Sequence, residues 1–494
     1  MDGVTSPPIT LHAPNRLATV PVGVIAALTA VVHLVFAARD GRWFDEALML
    51  AIGRHHLDFG SADQPPVTPL LAALADAVAP GSQLVMRLPA VAATAGAVLL
   101  AALIARELGG DARAQTLTAL AQATGIWVST AGHWLTPYSL EVVQWAAICW
   151  LLVRWLRTHD DRLLVVLGIV VGVAAQTQLR ALSLVAVLAL AVAVCGPRGL
   201  LTRPASWVGA ALAALITAPT MVWQATHGWP QLAMGRVVAS EAEFLFGGRS
   251  GVAVQLLIVP GVLGAALAGY GLVRLLRDAE LRFLAVAAIA LYVLVVVPPG
   301  RSYYLVGLVP VLAAAGAVGL QRRREAGRTR WRWVAWPAAA LGVACAAAGL
   351  ALSTVMSDPT VPRAIALNTA DAFRALPADE AARTAVVGQS YIYAVYVDSY
   401  GGELGLPAAY STNRSYGYFD PPSEATDSAL FVGTDPGRLQ PYFGDVQRVG
   451  TVTPPDDAVG LAGEDLDATG IWLLTGRTAT WEQIWDEQRS LTVS

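Results

Sequence analysis

Residues 18–38 read ATVPVGVIAALTAVVHLVFAA, a run of 21 residues without Asp, Glu, Lys or Arg. A helix needs about 20 predominantly apolar residues to cross the hydrocarbon core of a membrane. The 17 residues before the run are mostly polar and contain three prolines, and the run follows without a small-residue cleavage site. The run therefore predicts a retained membrane-spanning helix, not a cleaved signal peptide.

Ten further apolar runs follow, so the chain is predicted to cross the membrane about eleven times. Only 14% of the 494 residues are charged and 55% are hydrophobic, whereas soluble proteins contain roughly a quarter charged residues. This deficit of charge indicates a mostly α-helical, polytopic membrane protein. The predicted spans are 18–38, 84–106, 113–131, 137–156, 162–178, 181–195, 206–224, 252–276, 281–297, 303–320 and 333–353.

Arginine placement predicts the orientation, because cytoplasmic loops carry an excess of Lys and Arg. All 33 basic residues are arginine. With a cytoplasmic N-terminus, 17 arginines fall on the inner side and seven in the outer loops, with Arg180 near the outer boundary. We therefore expect a multi-pass plasma-membrane protein with a transmembrane domain over residues 1–355 and long outer loops at 39–83 and 224–251.

Residues 356–494 contain no predicted span and are acidic, with eight arginines against 19 acidic residues. Short apolar runs at Ala385–Gly388, Ala429–Gly433 and Gly470–Gly476 predict strands, and Pro362–Leu376 and Trp481–Arg489 predict helices. These patterns indicate a small α/β domain, which the odd number of spans places outside the cell. The one dense basic run, 322–332, borders a span and is interpreted as a topology signal. No nucleic-acid partner is expected.

The first outer loop concentrates ionisable residues next to the membrane. Asp45 and Glu46 begin an apolar stretch that predicts a helix in the membrane interface, and Asp63 precedes Pro65-Pro66, which stiffen the chain. The acids could simply cap the helix N-terminus. They could also serve chemistry on a lipid phosphate, in which arginines bind the phosphate and a carboxylate acts as a general base.

The order of several short motifs resembles the protein O-mannosyltransferase and aminoarabinose-transferase-like glycosyltransferases, membrane enzymes of the GT-C fold. Each motif alone is short, but the resemblance runs through almost the whole chain. The matching segments are Phe44-Asp45-Glu46, Asp63-Gln64-Pro65-Pro66, Met86-Arg87-Leu88-Pro89, Trp223-Gln224, His227-Gly228-Trp229-Pro230, Ser302-Tyr303-Tyr304 and, in the tail, Tyr400-Gly401, Leu406-Pro407 and Tyr410-Ser411-Thr412-Asn413.

The resemblance implies an inverting glycosyltransferase that moves a hexose or pentose from a polyprenyl-phosphate sugar to a protein, lipid or cell-envelope glycan. It implies Asp45 as the general base, with Glu46 and Asp63 orienting the acceptor, the base or a divalent metal ion held by all three carboxylates. Residues expected to bind the substrate or its lipid phosphate are Arg54, Arg87, Arg301, His227, Tyr303, Tyr304 and Glu141.

Each of these residues also has a structural interpretation. His227-Gly228-Trp229-Pro230 could form a tight turn, Tyr303 and Tyr304 could belong to the interfacial aromatic belt, and Glu141 could be paired with an arginine. Two rival functions are a transporter or flippase for lipid-linked sugars and a non-enzymatic envelope scaffold. The chain shows no clear internal repeat, which many transporters have.

Overall fold

The apolar runs form helices in this computed structural model, which describes residues 15–327, 335–453 and 468–493. The polar residues 1–14 and Arg328, Arg330 and Arg332 of the basic run lie outside the described residues. In chain order the α-helices are α1 (Thr19–Ala37), α2 (Phe44–His55), α3 (Val67–Val78), α4 (Gln83–Glu107), α5 (Ala112–Ala123), α6 (Ile126–Ala131), α7 (Pro137–Thr158), α8 (Arg162–Thr177), α9 (Arg180–Cys195), α10 (Gly199–Thr202), α11 (Pro204–Thr226), α12 (Pro230–Leu245), α13 (Gly248–Ile258), α14 (Gly261–Leu276), α15 (Arg282–Val296), α16 (Val309–Glu325), α17 (Ala335–Met356), α18 (Thr360–Arg374), α19 (Ala378–Ala381), α20 (Tyr391–Tyr400) and α21 (Trp481–Gln488).

The membrane-spanning capacity of these helices can be read from their length and composition. Among the described residues, five helices are long and apolar enough to cross a membrane: α1, α4, α7, α11 and the helix that contains Trp336. The number becomes six if the bent pair α13 and α14 counts as one span. Helices occupy all eleven predicted runs, but several are shorter than a full span, so the count of eleven stays a prediction.

The run 252–276, predicted as one straight span, is instead broken into α13 and α14, which meet at an angle of 95°. Pro260 lies at the break and has no backbone N–H to continue the helical hydrogen bonds. Gly261 follows with a φ of +72°, a left-handed conformation that favours glycine. The prediction of a continuous helix was therefore wrong at this position.

The chain folds into two units. Among the described residues, the first contains residues 15–39, together with Gln83–Thr226 and Val238–Ser353. The second contains Asp40–Ser82, His227–Val237 and the described residues from Thr354 onward. The first outer loop, which the sequence assigned to the transmembrane domain, thus folds with the tail, because α2 packs against both α3 and α20.

Close helix packing characterises the first unit. A Cβ added to Gly168 of α8 would lie 2.1 Å from the carbonyl oxygen of Gly209 in α11, so only glycine permits this crossing. Small residues bring helices close together in membranes, where packing rather than water exclusion drives association. Buried side chains such as Trp145, Leu184 and Phe283 fill the space between other helices of this unit.

The second unit contains a five-stranded mixed sheet in the order β2-β1-β3-β5-β4. Its strands are β1 (Thr384–Gly388), β2 (Ala409–Tyr410), β3 (Ser428–Gly433), β4 (Phe443–Thr451) and β5 (Gly470–Arg477). β1 pairs in parallel with β2 and β3, whereas β5 runs antiparallel to β3 and β4. Strands β1, β3 and β5 confirm the three predicted strands. β2 is only two residues long, and β4 is a largely polar edge strand.

Candidate functional site

Helix α2 presents both predicted acids in its first turn, with Asp45 and Glu46 directly after Phe44. Negative charge is stabilised there by the unpaired N–H groups and the helix dipole. The side chain of Asp45 is half-buried, whereas Glu46 is completely buried. A half-buried carboxylate is accessible to a bound substrate and is also partly shielded from water. Asp45 is therefore better exposed than Glu46 for direct proton transfer.

Arg54, predicted to bind the lipid phosphate, forms a bidentate ion pair with Asp76 of α3. Its Nε and Nη2 atoms lie 2.8 and 2.6 Å from the two carboxylate oxygens. This pair lowers the pKa of the Asp76 carboxyl through its hydrogen bonds to the guanidinium. The guanidinium of Arg54 thus links α2 to α3, and this contact gives it a structural role.

Asp45 is approached by two residues of the tail that the sequence did not single out as site residues. The phenol of Tyr391 donates to Asp45 Oδ1 at 3.5 Å, and Arg414 Nη1 donates to the same phenol oxygen at 3.4 Å. The ring of Phe44 meets that of Tyr391 edge-on at 5.9 Å. Both hydrogen bonds are long, but bonds of this kind often tighten only when substrate binds.

Asp63 lies in a tight turn that is tied to the same tail segment. Ser61 and Gln64 exchange two backbone hydrogen bonds across the turn, at 3.1 and 2.9 Å. The hydroxyl of Ser415 donates to the carbonyl of Ser61 at 3.0 Å. Burial raises the pKa of the Tyr418 phenol above its ordinary value, and the Asp63 carboxylate adds to that rise. Asp63 therefore lies beside the segment that also carries Arg414.

His227 belongs to the second unit, where its exposed ring meets that of Tyr418 edge-on at 6.2 Å. Gly228 and Trp229 follow with φ values of +75° and +57°. Two successive left-handed residues make a tight turn, as the structural interpretation of this segment expected. Burial lowers the pKa of the neighbouring His56 imidazole, which favours its neutral form.

The three acids that the resemblance allows as ligands of a possible divalent ion are not grouped in the part of the chain that the structure describes. Residues 15–327, 335–453 and 468–493 contain no group of three His, Cys, Asp or Glu side chains arranged to hold a metal ion. Asp45, Glu46 and Asp63 therefore do not fit a shared ion in this geometry.

Arg87 lies in the first unit and is almost completely buried. Its Nη1 donates to the carbonyl oxygens of Ala37 and Arg39, at 3.4 and 3.1 Å. These carbonyls belong to the end of α1, where backbone acceptors lack helical partners and a cation is favoured. Arg87 thus caps α1, and this contact is its visible role.

A cluster of charged and aromatic side chains in the first unit contains three more predicted site residues. Arg180 pairs with Glu141 at 2.7 Å, and its guanidinium lies 3.7 Å from the centre of the Tyr304 ring. The pairing that was one alternative for Glu141 is therefore present. Tyr303 stacks on Trp127 with 4.1 Å between ring centres. The two half-buried tyrosines thus pack against aromatic rings and an arginine.

Arg301 belongs to the same cluster and forms an ion pair with Glu241. Arg301 and Arg180 each form an ion pair through one guanidinium nitrogen. A second nitrogen of each, Arg301 Nη1 and Arg180 Nε, is buried without a hydrogen-bond partner among the described residues. A buried donor of this kind costs free energy unless it is satisfied. Arg180 Nε and Arg301 Nη1 are donors of the kind that bind phosphate oxygens.

Sequence reasoning missed Arg414, Glu241 and the direct contact of Tyr391 with Asp45. Tyr391 and Asp45 are 346 residues apart, and Arg301 and Glu241 are 60 apart. No local spacing pattern connects such residues.

Residues 63–223 match the family model described as dolichyl-phosphate-mannose-protein mannosyltransferase. This segment carries Asp63, Arg87, Glu141 and Arg180. Among curated proteins none matches the chain.

Several solved structures share the fold. ArnT from Cupriavidus metallidurans bound to undecaprenyl phosphate aligns with a TM-score of 0.61 and 15% identity over 92% of this chain and 98% of that chain. The Archaeoglobus fulgidus oligosaccharyltransferase complexed with Zn and sulfate gives a TM-score of 0.55 and 15% identity, with coverage of 85% and 69%. The arabinofuranosyltransferase AftD from Mycobacteria gives 0.52 and 14%, with coverage of 96% and 42%. The chain therefore has the GT-C fold of these membrane glycosyltransferases.

Proposed function

We propose that the protein is an inverting glycosyltransferase that moves a sugar from a polyprenyl-phosphate sugar to an acceptor hydroxyl on the outer face of the plasma membrane. Three findings support this proposal: the GT-C fold, the mannosyltransferase family match over residues 63–223, and the similarity to a structure that holds undecaprenyl phosphate. The observation that carries it is the half-buried Asp45 at the start of α2, with Tyr391 on one carboxylate oxygen.

In the proposed reaction the acceptor hydroxyl gives its proton to Asp45 while its oxygen attacks the anomeric carbon of the donor. The bond between that carbon and the phosphate oxygen breaks, and the polyprenyl phosphate leaves with the bonding electron pair. A single displacement inverts the anomeric configuration. A general base of this kind contributes roughly 10²–10⁴-fold to the rate.

Arg180 and Arg301 are assigned to the donor phosphate, because each combines burial with a guanidinium nitrogen that has no protein partner among the residues the structure describes. Negative charge grows on the leaving phosphate oxygen in the transition state, and a fixed, buried cation stabilises it. We assign a structural role, the positioning of the surrounding elements, to Arg54, Arg87, Glu46 and Asp63. The acceptor class stays open among protein, lipid and glycan.

The experiment is mass spectrometry of envelope glycoconjugates and polyprenyl-phosphate sugars in a deletion strain. We expect one glycan to disappear while its lipid-linked donor accumulates, which would identify both substrates. Complementation with the wild-type chain should reverse both changes. An unchanged envelope with unchanged lipid-linked sugars would contradict the proposal. Accumulation of the donor on the cytoplasmic face alone would instead indicate a flippase.

A further inference from the structure

We propose that Tyr391 and Arg414 form a positioning pair for Asp45, which aims one carboxylate oxygen at the acceptor and keeps the carboxylate ionised. This inference rests on the proposed function, in which Asp45 is the general base. All three residues lie in the second unit, and the contacts that connect them are Arg414 to Tyr391 at 3.4 Å and Tyr391 to Asp45 at 3.5 Å.

The geometry gives each atom a definite task. Tyr391 donates its hydroxyl proton to Asp45 Oδ1, so a single carboxylate oxygen is occupied by this contact. Arg414 donates to the phenol oxygen and also lies over the ring of Tyr391, with 5.0 Å from its guanidinium carbon to the ring centre. A cation on the phenol oxygen polarises the O–H bond and strengthens its donation to the carboxylate.

Arg414 is held rigidly enough for this task. Its backbone has a φ of +46°, which is uncommon for a residue other than glycine. Backbone strain of this kind persists only where the surrounding structure fixes it. Here the Arg414 backbone N–H donates to the Ser490 carbonyl at 2.7 Å, and its Nε donates to the Leu491 carbonyl at 3.2 Å.

Tyr391 is fixed from the other side. It is the first residue of α20 and is almost completely buried. Its backbone N–H donates to Asn413 Oδ1 at 3.2 Å, so the residue before Arg414 also anchors the tyrosine. The Asn413 amide in turn donates to the Thr492 carbonyl at 2.6 Å. The phenol and the guanidinium are thus held by one hydrogen-bonded framework.

Charged groups on the elements packed against α2 are engaged in other contacts. On α3, Asp76 pairs with Arg54. On α20, Asp398 accepts a hydrogen bond from Tyr416 and lies 4.0 Å from His55. Arg42, just before α2, donates to the carbonyls of Gly81 and Ser399, and Glu46 is buried next to Asp45.

Arg414 is thus a cation connected to Asp45 through the phenol of Tyr391. A nearby positive charge favours the ionised form of a carboxylate. Removing it should make Asp45 harder to ionise, so the acidic limb of the pH–rate profile should move to higher pH.

The test uses the full-length protein in lipid nanodiscs, with the polyprenyl-phosphate fraction extracted from the deletion strain as donor and envelope membranes of that strain as acceptor. Tyr391→Phe should lower kcat roughly 10- to 100-fold, the usual value of a hydrogen bond to a charged group. Arg414→Gln should move the acidic limb of the kcat profile up by about 0.5–1.5 pH units. Arg414→Lys, which keeps the charge, should recover part of that shift.

Two matched controls separate positioning from folding. Tyr393→Phe removes another buried phenol of α20, which contacts Thr469. Arg438→Gln removes another arginine that anchors the C-terminal segment, through Gln488 and Ser490. Neither should change the acidic limb.

If Tyr391→Phe and Arg414→Gln keep the wild-type pH profile and lose activity only in proportion to their thermal stability, the positioning role is overturned. The Asp45→Asn variant separates a failure of the positioning role from a failure of the proposed function. If that variant retains wild-type transfer, or if no donor accumulates in the deletion strain, the proposed function itself fails and the positioning role falls with it.

Discussion

Arg180, which is half-buried, forms an ion pair with the buried Glu141, with 2.7 Å between Arg180 Nη2 and Glu141 Oε2, and the same guanidinium lies over the ring of Tyr304. The pair joins the start of α9 to the first half of α7. Desolvating two charges is expensive, and a buried pair often contributes little net stability. Within the described parts of the chain, this pair leaves Arg180 Nε and Glu141 Oε1 without a hydrogen-bond partner, which is better explained by function than by stability.

Arg180→Gln should separate these two roles. Removing one partner of a buried pair strands the other charge, which costs about 3–5 kcal/mol, so we expect a lower midpoint of thermal unfolding in detergent. Adding Glu141→Gln should restore most of the stability, because no unpaired charge remains. Transfer should stay low in the double variant, because the guanidinium is absent. Full recovery of transfer together with stability would show that Arg180 is purely structural.

Arg301→Gln should weaken the use of donor. Charge-assisted hydrogen bonds are worth about 1.5–3 kcal/mol, so we expect kcat/KM for the polyprenyl-phosphate donor to fall roughly 10- to 100-fold. The matched control is Arg249→Gln, which removes an exposed arginine near the start of α13. An equal effect of both substitutions would argue against a phosphate contact at Arg301.

Chelation of divalent ions should leave transfer unchanged. Asp45, Glu46 and Asp63 do not belong to a group of three metal-type ligands within the described parts of the chain. Transfer measured in EDTA should therefore equal transfer in buffer, with and without added Mg²⁺ or Mn²⁺. Activity lost in EDTA and restored by one ion would support the metal that the resemblance allows, and the carboxylates would then have to move together.

The arginine distribution predicts that the chain end lies outside the cell. Alkaline phosphatase fused after the last residue should be active, because that enzyme requires an oxidising compartment for its disulfides. A fluorescent protein fused before the first span should report a cytoplasmic N-terminus. An inactive C-terminal phosphatase would indicate the opposite orientation. Asp45 would then lie on the cytoplasmic side, which contradicts the proposed reaction.

Local sequence signals predicted the elements that depend on short-range chemistry. The position of α2, the acids in its first turn and the three inner strands of the sheet all follow from nearby residues. The bend at Pro260-Gly261 was also readable from those two residues, but the length of the apolar run outweighed them. The polar edge strand β4 gave no alternating pattern, because most of its side chains face solvent.

Contacts between distant segments could not be predicted in the same way. Asp45 contacts Tyr391 because α2 packs on α20. The sequence of neither helix predicts that the other is its packing partner. Arg54 illustrates the reverse problem: an arginine beside acids looks like a phosphate ligand until its partner, Asp76, is known. Motif order therefore predicted the fold better than it predicted individual roles.

The most direct measurement is sugar transfer by Asp45→Asn in the complemented deletion strain and in nanodiscs. The amide keeps the shape of the side chain but cannot accept the acceptor's proton, so we predict a loss of roughly 10²–10⁴-fold with normal insertion and abundance. Asp58→Asn, an exposed acid of the same loop, should transfer like the wild type. Wild-type transfer by Asp45→Asn would contradict the account.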